Sequence, residues 1–420
     1  MRISGFMITR RKSGTAALVM ALLTGVLAFV VEARDPVLLA ARKERDRREE
    51  KPAAGGGQLQ RATSPENAQE FWYYVPNSAK RKKRVPFVLS YHGAMGNGEA
   101  EIRQWTKFAD EHGFIVACPT ADLAGARTQA GAAANFTQAD FIKEIATITS
   151  IVKYMQDHFP IDGRFRMITG FSGGGIPTYW FGLTHPHIFR FVCPRSGNFP
   201  PLVAAFHQQN PEVRRLIEQA AASSFLYVFY GEKDHPVILQ TAPQTIAWLR
   251  QLQPRHLQVE QVPGMGHDSR VDLAVKWFVG AMAQADAELA LEAKAAYPQL
   301  LSEAAAARQR QEHGVALARY RVAAELEEYY PALGQTGTKE MRKAESTAKL
   351  LLVKIQAIMR TRKTEAAGLL QELLTRYPGT TAAQEGEKLL PELPPPPPPP
   401  PEPPPATEPA PAGGQPEQGR

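Results

Sequence analysis

Between Phe165 and His185 the chain reads FRMIT, GFSGG, GIPTYWFGLTH, and no other stretch limits the fold so tightly. Phe165 to Thr169 is a β-type run and Ile176 to Leu183 a helix-compatible one, so Ser172 sits where a strand turns directly into a helix. In such a G-x-S-x-G turn only glycine leaves room for the chain to fold back, and the serine hydroxyl is lifted out as a candidate nucleophile. A phosphate-binding loop is excluded, because neither a Walker Lys-Ser/Thr pair nor G-x-G-x-x-G is present.

The surrounding sequence alternates in the same way. Glu70 to Pro76, Val85 to Tyr91, Phe114 to Cys118, Ile188 to Cys193, Phe225 to Tyr230 and Leu257 to Val262 read as further strands, most of them nearly continuous in apolar residues. Glu101 to His112, Phe141 to His158 and Val271 to Met282 carry helical spacing. Strands that are apolar on both faces and separated by amphipathic helices predict an α/β domain over residues 61–283, a mostly parallel sheet covered by helices on both faces.

In such sheets the chemistry collects just past the C-terminal ends of the strands. Three segments fall there besides the serine. FLYVFY runs into Gly231-Glu232-Lys233-Asp234, the next strand is followed by Gly264-Met265-Gly266-His267, and VLSY ends at His92-Gly93-Ala94. Ser172, then Asp234, then His267 is an order in which a histidine base can deprotonate the serine while a carboxylate orients the ring. The backbone N–H groups of Gly173 and Ala94 are the candidate oxyanion donors, and His92 is read as a brace for its loop. Such a set needs no cofactor and no metal, and no Cys/His cluster offers a metal site.

With those residues in place, 70 to about 282 resembles the α/β-hydrolases, and among them the polyhydroxybutyrate depolymerase-like esterases, relatives of feruloyl and acetyl xylan esterases. The resemblance rests on Tyr91 to Gly93, Trp105 to Pro119, Ile161 to Gly175, Phe189 to Gly197 and Gly231 to Val237. It implies an α/β-hydrolase fold and Ser172, Asp234 and His267 as a triad hydrolysing carboxylic esters through an acyl-enzyme. The tryptophan that polymer-cleaving members often carry after the histidine is replaced here by Asp268 and Ser269. A serine peptidase of the same fold, or a non-catalytic surface-binding protein with a vestigial hydrolase domain, are the alternatives.

The remainder of the 420 residues is organised around this domain. Arg2, Arg10, Arg11 and Lys12 precede an apolar run from Thr15 to Val31, and Val31-Glu32-Ala33 resembles a cleavage site. Residues 1–33 are thus expected to be a secretory signal, or a membrane anchor if uncleaved, which places the protein outside the cell or in the periplasm or envelope. Residues 34–60 read as a flexible linker. Residues 284–392 are rich in Ala, Glu, Leu, Lys and Arg and read as helical, with a tetratricopeptide-like last unit and Tyr-Pro steps at 297, 330 and 377 that suggest helix ends. This helical region is a candidate surface for a protein partner.

Residues 393–420, with eight consecutive prolines, are expected to form a disordered proline-rich tail. Net charge is +7; the first 33 residues carry four basic and one acidic side chain, which leaves +4 on the rest. That balance excludes a nucleic-acid partner, and Lys80 to Arg84 is read as a solvated hairpin loop. Cys118 and Cys193 are expected to be free thiols, because their strands stand three steps apart in this fold's usual order, roughly 14 Å, and a disulfide needs Cα atoms within about 7 Å.

Overall fold

The computed structural model describes residues 57–66, 68–121, 138–197, 204 and 208–394. The expected leader, almost all of the linker and all but the first residues of the proline-rich tail lie outside the described residues. The chain divides into two units, one ending at Glu292 and one beginning at Ala293.

The first unit is built on an eight-stranded sheet: β1 (Gln58–Thr63), β2 (Glu70–Val75), β3 (Val85–Tyr91), β4 (Ile115–Pro119), β5 (Ile161–Phe171), β6 (Phe191–Arg195), β7 (Phe225–Gly231) and β8 (His256–Val262). Their spatial order is β1-β2-β4-β3-β5-β6-β7-β8. β1 and β2, and β2 and β4, pair antiparallel; every other neighbouring pair is parallel. The helices are α1 (Gly98–His112), α2 (Gln138–His158), α3 (Gly175–Thr184), α4 (Pro211–Ser223), α5 (Pro236–Gln251) and α6 (Val271–Gln309).

Successive strand residues point to opposite faces, and two apolar cores follow from that period. Phe87, Leu89, Ile168, Val192, Leu226 and Val228 meet α2, α3, α4 and α5 on one face. Val88, Met167, Phe191, Phe225, Tyr227 and Phe229 meet α1 and α6 on the other. Central strands buried on both sides need apolar residues at every position, which is why they were readable as unbroken runs. Cys118 in β4 and Cys193 in β6 are buried and unpaired, with β3 and β5 between their strands.

Three readings change. Gln58, Leu59 and Gln60, expected in the linker, already pair with β2; QLQRAT is an edge strand whose outer positions face water, so its composition looks like that of a tether. β5 begins at Ile161 rather than Phe165, because Asp162, Gly163 and Arg164 break the apolar pattern and hide its start. Lys80 to Arg84 is not a hairpin loop: it joins β2 to β3, which are separated in the sheet by β4, although Lys80 to Lys83 are exposed as expected.

The second unit is helical, with α7 (His313–Tyr329), α8 (Thr336–Ile358), α9 (Lys363–Arg376) and α10 (Thr381–Glu387) after the end of α6. α8 packs against α7, α9 and α10. The core is small: Ala348, Leu352 and Ile355 of α8 meet Leu370 and Leu373 of α9 and Ala382 and Ala383 of α10. The Tyr-Pro steps at 330 and 377 do end helices, but Pro298 lies inside α6, so a proline missing one backbone donor did not stop that helix.

Candidate active site

The turn between β5 and α3 carries the candidate nucleophile. Ser172 has φ 51°, in the left-handed region where a non-glycine residue is strained, and it opens a 3-10 turn (Ser172–Gly174) that leads into α3. The two outer glycines make this turn possible. A Cβ on Gly170 would stand 2.1 Å from the Gly174 carbonyl oxygen, and one on Gly174 would stand 2.6 Å from that of His92. The pentapeptide is therefore a steric requirement of the elbow.

β7 delivers Asp234 and β8 delivers His267, from neighbouring parallel strands. Their loops are stitched together: Glu232 N–H donates to Val262 O at 3.0 Å, Lys233 N–H to Met265 O at 2.8 Å, and Gly264 N–H to a Glu232 carboxylate oxygen at 2.8 Å. Gly231 permits the approach, since a Cβ there would lie 2.2 Å from Met265 O and 2.4 Å from Gly266 O.

The three side chains then form a continuous relay. His267 Nε2 is 2.9 Å from Ser172 Oγ, and His267 Nδ1 is 2.5 Å from Asp234 Oδ1. The Asp234 side chain has no exposure, while that of His267 is 32% exposed, so the carboxylate is shielded from solvent and the imidazole can be reached. Burial raises the Asp234 pKa, but hydrogen bonds from His267, the Gly231 N–H, Ser196 and the His235 N–H outweigh it, and the group stays below the ordinary aspartate value. Asp268 and Asp162 are elsewhere: Asp268 accepts from Arg270 N–H, and Asp162 pairs with Arg164 near the start of β5.

His92 fills the role of brace. It is 3% exposed, its Nδ1 lies 2.7 Å from Gly93 O, and its Nε2 accepts from Ala121 N–H at 3.1 Å. Burial lowers its pKa, which suits a neutral ring that donates through Nδ1 and accepts through Nε2. Gly93 lies against Phe171, whose ring centroid is 4.8 Å from that of His267. Gly173 is buried in the first turn after the strand, where helix-initial N–H groups have no partner within the helix, and Ala94 is exposed in the turn after β3.

Residues that sequence reasoning missed stand behind this relay. Arg195, the last residue of β6, is fully buried and ion-pairs with Glu101 of α1, which is 2% exposed. Ser196, φ 45°, hydrogen-bonds the Asp234 carboxylate and lies 3.4 Å from Asp268 O. The run Phe189 to Gly197 contains both Arg195 and Ser196, but no local pattern marks a buried ion pair whose partner lies 94 positions away.

A mixed sheet in this order, with serine, aspartate and histidine in that sequence past the ends of β5, β7 and β8, decides the architecture. The chain has the α/β-hydrolase fold. No protein-family model and no curated protein matches the chain. Among solved structures, S-formylglutathione hydrolase (FrmB) from Staphylococcus aureus is similar at 21% identity and TM-score 0.40, covering 53% of this chain and 98% of that one. FphF, a fluorophosphonate-binding serine hydrolase from Staphylococcus aureus, is similar at 20% and 0.41, covering 54% and 99%. An acetyl xylan esterase from Aspergillus awamori is similar at 18% and 0.41, covering 53% and 99%.

Proposed function

We propose that the protein is an exported serine esterase that hydrolyses carboxylic esters through an acyl-enzyme on Ser172. The observation that carries this reading is the relay itself: a strained serine hydroxyl 2.9 Å from a reachable imidazole, which is held at 2.5 Å by a fully buried carboxylate. A solvated histidine next to a serine is common, but a histidine gripped by a buried carboxylate and aimed at a serine in a left-handed elbow has a specific chemical use.

In this mechanism His267 Nε2 takes the Ser172 proton as Oγ attacks the ester carbonyl, and Asp234 holds the ring with its proton on Nδ1. The oxyanion is received by the N–H groups of Gly173 and Ala94. His267 then returns the proton to the departing alcohol, and a water activated by the same nitrogen releases the acid.

The substrate class we infer is small, soluble esters. Polymer-cleaving members of the family that the sequence resembles often carry a tryptophan after the histidine, whereas this chain has Asp268 and Ser269. Turnover of p-nitrophenyl, feruloyl and acetyl-sugar esters, compared with a peptide amide and with Ser172→Ala as the blank, tests the reading. Ester hydrolysis abolished in the blank supports it; a folded protein that cleaves only the amide, or nothing in the panel, sinks it.

A further inference from the structure

The histidine of a triad works only if its loop is held still, and here the holding group is a charge buried in the core. Arg195 pairs in the β5–β6 ladder with Phe171, the residue before the candidate nucleophile, so its backbone stands level with the elbow. Its guanidinium is anchored on three elements: Nε donates to Thr169 Oγ1 of β5 at 3.0 Å, and Nη2 donates to Ser90 Oγ of β3 at 3.0 Å and to Glu101 Oε1 of α1 at 2.5 Å. The Glu101 carboxylate is itself fixed by Ser90 Oγ at 2.5 Å and Trp105 Nε1 at 2.9 Å, and the Trp105 ring lies 5.3 Å from the Arg195 Cζ. The remaining arm, Nη1, donates to the carbonyl of Ser269 at 3.3 Å, two residues past His267.

A buried ion pair is a poor device for stability alone, because the desolvation of both charges offsets most of their attraction and well-packed apolar residues do as well. Its geometry suggests another use. Every contact but one ties Arg195 to the rigid framework, and the exception reaches the histidine loop. The neighbouring residue acts in parallel, since Ser196 hydrogen-bonds the Asp234 carboxylate and approaches Asp268 O. At the surface a second tether runs from Ser269 Oγ to Gln104 Oε1 of α1 at 2.6 Å, next in sequence to Trp105 beneath Arg195.

We propose that Arg195, locked by Glu101, is a positioning residue that sets where His267 stands between Ser172 and Asp234 by gripping the Ser269 carbonyl. The inference rests on the esterase reading above. It predicts that disturbing the guanidinium lowers kcat without weakening substrate binding, because no substrate contact is lost while the proton relay is misaligned. Displacements on the order of 1 Å in a catalytic group lower rates by as much as about 100-fold.

The test uses the full chain in three forms besides the wild type: Arg195→Lys; the neutral pair Glu101→Gln with Arg195→Met; and the milder Ser90→Ala, which removes one anchor and leaves both charges. Cooperative melting establishes that each is folded. For p-nitrophenyl acetate the first two are expected to lose roughly 10- to 100-fold in kcat with KM nearly unchanged. Ser90→Ala, which lacks the hydrogen bonds of Ser90 Oγ to Arg195 and to Glu101, is expected to lose roughly twofold to tenfold. In each, the far-downfield proton resonance of the His267 to Asp234 hydrogen bond is expected to shift or broaden.

If the two stronger variants do not fold, Ser90→Ala decides alone. Wild-type kcat and an unmoved resonance in the folded variants would overturn the inference and leave the pair a purely structural one. Failure of the esterase reading is distinguishable, because it would appear in the wild type as no Ser172-dependent turnover and no fluorophosphonate adduct on Ser172.

Discussion

Asp234 shows how much a single residue owes to its surroundings. Four hydrogen-bond donors converge on its carboxylate, whose side chain has no exposure, and only one of them, His267, is a member of the proposed relay. Asp234→Asn keeps the shape but favours the wrong ring tautomer, so it is expected to cost on the order of 10⁴ in kcat, judging from the equivalent change in a serine protease. Asp268→Asn is expected to leave most activity; the reverse outcome in steady-state kinetics would reassign the acid. His185 carries a different prediction. It is buried at the end of α3 beside Thr184 and His187, and burial first, then His187, lowers its pKa to about 3. Because the unfolded chain takes up that proton near pH 6.5 and the folded one does not, the contribution is complete above about 6.5 and is lost as the pH falls toward 3. Urea midpoints of wild type and His185→Asn across pH 7.5 to 4.5 are expected to diverge, with the wild type losing roughly 1 kcal/mol more per pH unit. Parallel curves would show that His185 is protonated in the folded state. Ser172 and Asp234 were legible because each follows a buried apolar strand, and His267 because it follows an alternating one, Leu257 to Val262; Arg195, Glu101 and Ser196 were not, because their meaning comes only from contacts across the sheet.

At the scale of elements, burial decided what could be read. The central strands β3, β4, β6 and β7 are buried at nearly every position, and their bounds were found to within three residues. β1 and the first half of β5, half exposed or charged, were missed, since a strand with one wet face resembles a loop in composition. Helix starts were also blurred: α1 begins at Gly98 because Asn97 caps it by accepting from Ala100 N–H, a signal outside the apolar pattern. The strand order itself makes a prediction. Cys118 and Cys193 sit with β3 and β5 between them, fully buried, and burial raises both thiol pKa values, that of Cys193 to about 12. A thiol reagent at pH 8 is expected to modify neither in the native protein and both after denaturation without reductant. A native chain that yields no free thiol on unfolding would mean a disulfide, and the strand order would be wrong.

For the whole molecule, composition announced the change from α/β to helical chain but not where the first unit ends. Residue 283, the expected end of the catalytic region, lies within α6, and the residues just beyond it serve the first unit: Ala285 is fully buried in its core, Asp286 pairs with Arg164 at 2.6 Å, and Glu288 meets His256 at 2.9 Å. A chain ended after Glu292 is therefore expected to keep kcat/KM on p-nitrophenyl acetate, whereas one ended at 283 is expected to be less stable by roughly 1–3 kcal/mol in urea unfolding. A folded but inactive chain ended at 292 would show that the helical unit takes part in the chemistry. The central claim is that Ser172 is an activated nucleophile, and its most direct test is the site of reaction with a fluorophosphonate, read by peptide mass spectrometry. One adduct on Ser172, lost when the protein is unfolded and in His267→Ala, is the predicted result. A native protein left unlabelled, or labelled equally well when Ser172 is replaced by alanine, would contradict it.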